Sequence, residues 1–325
     1  MELLLKEKNR KEITMKTIDS QCKLAFQQKM ALSILSTEKK NAILTDMSQA
    51  IIDQSDTIIS ENQKDLELGK KNNLTKALLD RLSLDHQRLK DISDSILIIR
   101  DLPDPIGDTI DEWTRPNNLH ISKVRVPLGV IGIIYEARPN VTVDGIALAL
   151  KTGNCIVLRG SSSAYHSNKA LSSTLQHVLS AHDVSPESIQ LLENTSREGV
   201  LDFVKQKDYL SLVIPRGGAD LIQTVGQNAT VPSIETGVGN CHVYVDQFAD
   251  LEKALSICIN SKTNRPSVCN SCEGMVIHEK IAETFLPRLI SELNSSNVEI
   301  RGCDITQLLD PSIKPATQED WSTEF

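Results

Sequence analysis

Residues 126–140 read VPLGVIGIIYEARPN, and this stretch decides the fold class. The apolar run Gly129–Ile134 predicts a strand that is buried on both faces, as strands of parallel sheets are. Similar runs predict buried strands further along, and helical patterns separate them. This alternation is typical of an α/β protein with a parallel sheet. The predicted strands are Cys155–Leu158, Ile189–Leu192 and Leu210–Ile214, and the predicted helices are Asp144–Lys151, Tyr165–Leu179 and Ser196–Val204.

The chain before this stretch is predicted to be helical over residues 15–102, followed by a β-hairpin over residues 106–126. Pro103 ends the last helix, because a residue before proline avoids the α conformation. The hairpin turns around Arg115–Asn118 and either reaches a second subunit or lies exposed on its own domain. Apolar residues at helical spacing support the helices: Leu89, Ile92, Ile96 and Ile99 in one, and Ile43, Met47 and Ile51 in an earlier one whose N-cap is Ser36 or Thr37.

Composition indicates a soluble protein of a reducing compartment. With 35 basic and 43 acidic residues the net charge is −8, and aromatic residues make up only 3%, so neither a nucleic-acid surface nor a polybasic membrane anchor is expected. The seven cysteines follow no disulfide framework. Residues 1–10 do not resemble a signal peptide, and no apolar run is long enough to cross a membrane. We therefore expect a cytoplasmic protein.

Two turns that suit anions each lie between a predicted strand and a helix. Arg159, Gly160 and Ser161 form the first, and Arg216, Gly217 and Gly218 form the second. Glycines let the backbone approach a phosphate, and a helix N-terminus offers free N–H groups to it. Serines and arginine with no acid after the first strand would accept the 2′-phosphate of NADP. The alternative is a glycine turn with a solvated arginine.

Three further positions carry candidate chemistry. Cys269, in the sequence RPSVCNSC over residues 265–272, is either a thiolate nucleophile, a small buried hydrophobe or part of a zinc site, although no second ligand pair with zinc spacing exists. Asn140 either donates to an oxyanion or belongs to a turn. Glu235 either faces a cleft or lies on the surface. We expect no metal.

Taken in order, these motifs resemble the aldehyde dehydrogenase superfamily and, within it, the γ-glutamyl phosphate reductases. The resemblance runs from about residue 15 to the end of the chain. It rests on the strings RPN (138–140), GNC (153–155), LRGS (158–161), PRGG (215–218), ETGVGNCH (235–242) and RPSVCN (265–270), together with VPLGVI (126–131) and LENTSRE (192–198).

The resemblance implies an enzyme that reduces L-glutamyl 5-phosphate to L-glutamate 5-semialdehyde, the second step of proline biosynthesis from glutamate. It implies NADPH as cofactor, an NADP(H)-binding domain over residues 1–105 and 127–239, an oligomerisation hairpin at 106–126 and a catalytic domain from 240 to 325. Because the family continues well beyond its last motif, the catalytic domain is expected to be incomplete here, and the chain to be weakly active or inactive.

The resemblance also assigns roles to residues. Cys269 would be the nucleophile and Asn140 the oxyanion donor, while Arg159, Gly160, Ser161, Arg216, Gly217, Gly218 and Glu235 would contact the cofactor. Glu235 matches the base of oxidising relatives, a role that a reductase does not need. A homodimer and association with glutamate 5-kinase are the implied partners. The alternatives are an NAD-linked aldehyde dehydrogenase of the same fold and an inactive cofactor-binding remnant.

Overall fold

A computed structural model describes residues 16–235, 239–266 and 268–323. The prediction about a signal peptide concerns residues 1–10, which lie outside these ranges. The chain divides into two compact units, Met1–Thr236 and Gly237–Phe325.

The described part of the first unit begins with five helices, which agrees with the helical structure predicted for residues 15–102. Ser36, not Thr37, is the N-cap of the second helix, and its hydroxyl accepts the N–H of Lys39. The second and fifth helices pack together through the two predicted apolar faces, in which Ile43, Met47 and Ile96 are fully buried. The helices are α1 (Ile18–Ser33), α2 (Thr37–Asp53), α3 (Ser55–Lys71), α4 (Lys76–Leu82) and α5 (His86–Asp101).

The predicted hairpin is present. Strand β1 (Thr109–Thr114) pairs antiparallel with β2 (His120–Val124), and Asn118 in the turn has a φ of 66°, a left-handed conformation that asparagine tolerates. Side chains on both faces of the ribbon are exposed.

The sheet of the first unit is parallel, with strand order β5-β4-β3-β6. The predicted strands are confirmed with small shifts at their ends, for example in β6, which begins at Leu212 because the N–H of Leu210 still bonds to Gln206 in the preceding turn. The strands are β3 (Val130–Tyr135), β4 (Cys155–Arg159), β5 (Ile189–Leu191) and β6 (Leu212–Arg216).

One predicted helix was wrong at its start. The helix expected at Asp144–Lys151 is α6 (Pro139–Lys151), because Pro139 occupies the first helical turn, where its fixed φ and missing N–H cost nothing. Asn140 therefore lies in the first turn of a helix. The other helices of this unit are α7 (Tyr165–Ala181), α8 (Arg197–Phe203) and α9 (Ala219–Asn228).

The second unit continues the strand–helix alternation. Its strands β7 and β8 pair in parallel around a small core that includes Val245, Cys258 and Phe285. Large apolar side chains remain exposed on this unit, among them Tyr244 and Phe248. The elements are β7 (Cys241–Val245), α10 (Leu251–Thr263), β8 (Cys272–Ile277), α11 (Glu279–Ser295), β9 (Arg301–Gly302), α12 (Asp304–Leu309) and β10 (Lys314–Pro315).

Across the described residues of both units, no helix combines the length and the apolar character needed to span a membrane.

Candidate active site

The carboxyl ends of β3 and β6 meet at one edge of the sheet. The carboxylate of Glu136, the residue after β3, accepts the backbone N–H of Gly218 at 2.9 Å. Gly218 is the N-cap of α9, and a Cβ on Gly217 would lie 2.8 Å from the same carboxylate oxygen. The glycine turn predicted to bind an anion therefore already holds one, supplied by the protein itself. Arg216, the last residue of β6, is exposed beside it.

A cavity of about 290 Å³ opens beside this turn. Its polar lining comes from the ends of β3 and β4, with Glu136, Arg138, Ser161 and Ser163, and from Arg81 on α4. The hydroxyls of Ser161 and Ser163 hydrogen-bond to each other at 2.8 Å. The remaining lining is apolar and consists of Leu74, Leu78 and Ala137. A larger cavity, about 850 Å³, lies among α2, α3 and α7, and none of the predicted site residues lines it.

Arg159 and Gly160 have structural partners at the end of β4. The guanidinium of Arg159 donates from Nη2 to the carbonyl oxygens of Thr195 and Ser196, and burial lowers its pKa. A Cβ on Gly160 would lie 2.3 Å from the buried amide nitrogen of Asn168. Arg159 thus hydrogen-bonds to the loop before α8, and the absence of a side chain on Gly160 leaves room for the buried side chain of Asn168.

Asn140 is exposed in the first turn of α6. Its amide nitrogen donates to Asp144, one helical turn later, at 3.3 Å. Asp144 also accepts from the hydroxyl of Ser95 at 3.2 Å, and burial raises the pKa of this carboxyl above its usual value despite both hydrogen bonds. Because an amide nitrogen carries two hydrogens, the bond to Asp144 orients the group and leaves the second hydrogen for another acceptor.

Glu235 lies away from the Gly217–Gly218 turn. Its carboxylate oxygens are 2.7 Å from the position of a Cβ on Gly226, and one of them accepts from Ser233 at 3.1 Å. Gly226 is near the end of α9, whereas Gly218 precedes its first residue. At 1.5 Å per residue, the two glycines are about 12 Å apart along the helix axis. Glu235 and the Gly217–Gly218 turn therefore flank opposite ends of α9.

Cys269 lies in the turn before β8 and is exposed. Its backbone carbonyl is closely packed: the thiol of Cys241 donates to it at 3.6 Å, and a Cβ on Gly239 would be 2.6 Å from it. Cys272 differs, because it is buried and its thiol donates to the carbonyl of Gly274 at 3.1 Å. In the part of the chain that the structure describes, no three His, Cys, Asp or Glu residues are grouped as a metal site.

Three buried cysteines are less suited to nucleophilic chemistry, and one exposed cysteine is a further candidate. Burial raises the pKa of Cys22 and of Cys155 to about 12 and that of Cys258 to about 11, so their thiols stay protonated near neutral pH. The further candidate is Cys303, which is exposed and whose pKa is lowered by a hydrogen bond with Thr306. Sequence reasoning did not single out Cys303.

Comparison with known proteins shows the family to which this chain belongs. Residues 8–318 match the aldehyde dehydrogenase family. The γ-glutamyl phosphate reductase of Moorella thermoacetica is 51% identical over 294 residues, which are 90% of this chain and 70% of that protein. Among solved structures, the γ-glutamyl phosphate reductase of Thermotoga maritima is 43% identical with a TM-score of 0.88, over 95% of this chain and 75% of that one. The yeast enzyme of the same name is 26% identical with a TM-score of 0.64, over 92% and 74%.

The parallel sheet of the first unit and the strand–helix alternation of the second unit have the architecture of an aldehyde dehydrogenase fold. The chain belongs to the aldehyde dehydrogenase family. Within it, the chain belongs to the γ-glutamyl phosphate reductases, of whose length it spans 70–75% in these comparisons.

Two features of the site escaped sequence reasoning. Glu136 was passed over within the motif that ends in Asn140, although its place directly after the first buried strand was a usable signal. The bond from Asn140 to Asp144 follows from helical spacing, which was hidden because the helix was expected to begin only at Asp144.

Proposed function

We propose that this chain catalyses the NADPH-dependent reduction of L-glutamyl 5-phosphate to L-glutamate 5-semialdehyde, with release of phosphate, as the second step of proline biosynthesis from glutamate. The observation that carries the proposal is the 51% identity with a γ-glutamyl phosphate reductase over 90% of the chain. The exposed Cys269 and the glycine turns at the carboxyl edge of the sheet supply the chemistry that such a reaction needs.

Cys269 is the proposed nucleophile. Its thiolate attacks the acyl carbonyl carbon, a C–S bond forms, and the C–O bond to phosphate breaks with the electron pair leaving on phosphate. The product of this step is a thioester on Cys269. After reduction to the aldehyde level the C–S bond breaks again, and sulfur departs as the thiolate. Exposure separates Cys269 from the buried Cys258 and Cys272, and its place in the string RPSVCN separates it from the exposed Cys303.

Asn140 is the proposed donor to the carbonyl oxygen, which becomes negatively charged in each tetrahedral species. A fixed amide dipole stabilises that charge more than a freely moving one because it need not reorganise. The bond to Asp144 supports such fixing, since it holds one amide hydrogen and leaves the other for a second acceptor.

The carboxyl edge of the sheet fits a dinucleotide phosphate. Gly217 keeps the backbone at this edge free of a side chain, since a Cβ there would lie 2.8 Å from Glu136, and Ser161 and Ser163 line the cavity. Ser161, Ser163 and the Gly217–Gly218 turn would hold the phosphates of NADPH, which supplies the hydride when bound. No carboxylate lies among the residues directly after β4, which suits the 2′-phosphate. The carboxylate of Glu136, which lines the same cavity, opposes an anion there.

The hairpin is the proposed contact with a second copy of the chain. Its ribbon exposes Ile110, Trp113 and Leu119, whose side chains are 43–55% accessible. A two-stranded ribbon with so much exposed apolar surface is marginal by itself and is stabilised by pairing or packing. Association with glutamate 5-kinase stays a prediction.

The test is the reverse reaction, in which glutamate 5-semialdehyde, phosphate and NADP⁺ are mixed with the purified chain and with its Cys269→Ala variant. We expect NADP⁺ reduction that requires phosphate and disappears in the variant. Reduction of NAD⁺ that needs no phosphate would instead identify an oxidising aldehyde dehydrogenase. Cofactor binding without turnover in either direction would identify a cofactor-binding remnant.

A further inference from the structure

The carboxylate of Glu136 occupies the turn in which the proposed function seats a cofactor phosphate. Its Oε1 accepts the N–H of Gly218 at 2.9 Å and lies 2.8 Å from the place that a side chain on Gly217 would take. Glu136 is exposed, so water can reach the carboxylate if it leaves the turn. The contact is therefore one that can be made and broken without disturbing the core.

The topology of the sheet identifies this turn independently of any hydrogen bond. From β3 the chain proceeds to β4 and β5 on one side and then returns to place β6 on the other side of β3. In open α/β sheets ligands bind in the crevice at such a reversal, outside the carboxyl ends of the two strands. Glu136 follows β3 and Gly217 follows β6, so both lie at the reversal, and the cavity of about 290 Å³ beside them is lined by Glu136 itself.

We propose that Glu136 is an internal substitute for the cofactor diphosphate, which has to leave Gly218 before a dinucleotide can bind. The inference rests on the proposed function for the identity of the cofactor. Two anions cannot accept the same N–H, and negative charges a few ångströms apart repel each other. Glu136 therefore lowers the affinity for the dinucleotide and keeps free phosphate, a product of the reaction, out of the turn. It is a residue that sets cofactor affinity and takes no part in bond making.

The test compares wild type with Glu136→Gln, which keeps the size of the side chain and removes its charge, and with Glu136→Ala, which empties the turn. The matched control is Asp220→Asn, because Asp220 is an exposed acid in the first turn of the same helix. Binding of NADP⁺, inorganic pyrophosphate and adenosine 2′-monophosphate is measured by calorimetry. The last probe lacks a diphosphate.

Both Glu136 variants should bind NADP⁺ and pyrophosphate roughly 3- to 10-fold more tightly, the size of a single charge effect at a helix N-terminus. Adenosine 2′-monophosphate should bind with unchanged affinity, and Asp220→Asn should change any of these affinities by less than about 2-fold.

Unchanged pyrophosphate affinity in both variants would overturn the inference, as would an equal gain in Asp220→Asn. Weaker NADP⁺ binding by Glu136→Gln would also overturn it, because the carboxylate would then be a ligand of the cofactor. The inference and the proposed function can fail separately. If no form of the chain binds NADP⁺ but the variants gain affinity for pyrophosphate, the turn binds a diphosphate and Glu136 opposes it, whereas the proposed cofactor is wrong.

Discussion

The backbone of Gly239 contacts the turn of Cys269 so closely that a Cβ on the glycine would lie 2.6 Å from the carbonyl oxygen of the cysteine. Two backbone segments meet at this point, so a side chain at position 239 cannot be accommodated by rotating a neighbouring side chain. Glycine at 239 thus helps to fix the position of the proposed nucleophile.

We expect Gly239→Ala to displace the Cys269 turn and to lower turnover about 100-fold, since misplacing a reacting group by about 1 Å can cost that much. The measurement is phosphate-dependent NADP⁺ reduction. Cys241→Ala is the matched control, because the Cys241 thiol contacts the same carbonyl at 3.6 Å and its removal adds no atom. Wild-type turnover in Gly239→Ala would show that the turn tolerates the shift.

A second readout is the rate at which Cys269 reacts with a thiol reagent, and it requires a Cys303→Ser background. Cys303 is exposed, and its hydrogen bond with Thr306 lowers its pKa, so its thiolate forms at lower pH than that of an ordinary cysteine and reacts early. In that background we expect Gly239→Ala to change the Cys269 rate and Cys241→Ala to leave it unchanged.

Asn140→Ala should lower turnover by about 10²–10³, the usual loss when one oxyanion donor is removed, with NADP⁺ affinity unchanged. Asn228→Ala is a suitable control, since this exposed asparagine of α9 donates only to the carbonyl of Thr224 among the bonds described. A turnover equal to that of the control would remove Asn140 from the mechanism.

Much of the fold can be predicted from short stretches of sequence, because apolar runs, helical spacing and turn residues each mark an element within that element's own residues. The strand Val130–Tyr135 is predicted within one residue at each end, since an apolar run between turn residues has few alternatives. The start of α6 was missed because Pro139 was taken as part of a turn, whereas proline is also common in the first turn of a helix.

The site was harder to predict, because its contacts join distant parts of the chain. The resemblance assigns Arg159 to the cofactor, which stays a prediction, but nothing in its local sequence indicates the bonds that it donates to carbonyls of a loop following a different strand. Glu136 and Gly218 meet only because β3 and β6 are neighbours, and strand order cannot be read from either motif alone.

The exposed apolar side chains of the hairpin lead us to predict that two copies of the chain dimerise through it. Trp113→Asp should convert a dimer to a monomer, because a charge would replace an aromatic ring at the centre of the proposed contact. Mass is measured by light scattering during gel filtration. Ile34→Asp is the control, since Ile34 is 79% exposed outside the ribbon. A monomeric wild type, or an equal effect of both variants, would contradict a hairpin-mediated dimer.

A buried ion pair joins α2 to the segment that leads into the hairpin. The amine of Lys40 pairs with the carboxylate of Asp104, and their side chains are only 2% and 7% accessible. Thr37 donates to the same carboxylate at 2.7 Å. Burial raises the pKa of Asp104, but the hydrogen bonds from Lys40, Thr37 and the N–H of Ile106 outweigh it and leave the pKa below its usual value of 3.8.

Removing the cation alone should be costly, because it leaves a buried carboxylate without its partner. We expect Lys40→Met to lower the free energy of unfolding by about 3–5 kcal/mol. Lys64→Met, which breaks a pair with Glu61 whose side chains are 53% and 30% accessible, should lower it by less than about 1 kcal/mol.

The pair of Lys40 and Asp104 stabilises the wild type above the unfolded pKa of Asp104, and this contribution is lost as pH falls through the lower folded pKa. In Lys40→Met, burial instead favours the protonated acid, so the stability gap between variant and wild type should narrow below about pH 4. Urea unfolding at pH 7 and at pH 3.5 measures both effects, and a gap that is small at pH 7 or does not change with pH would mean that Lys40 and Asp104 do not act as an ion pair.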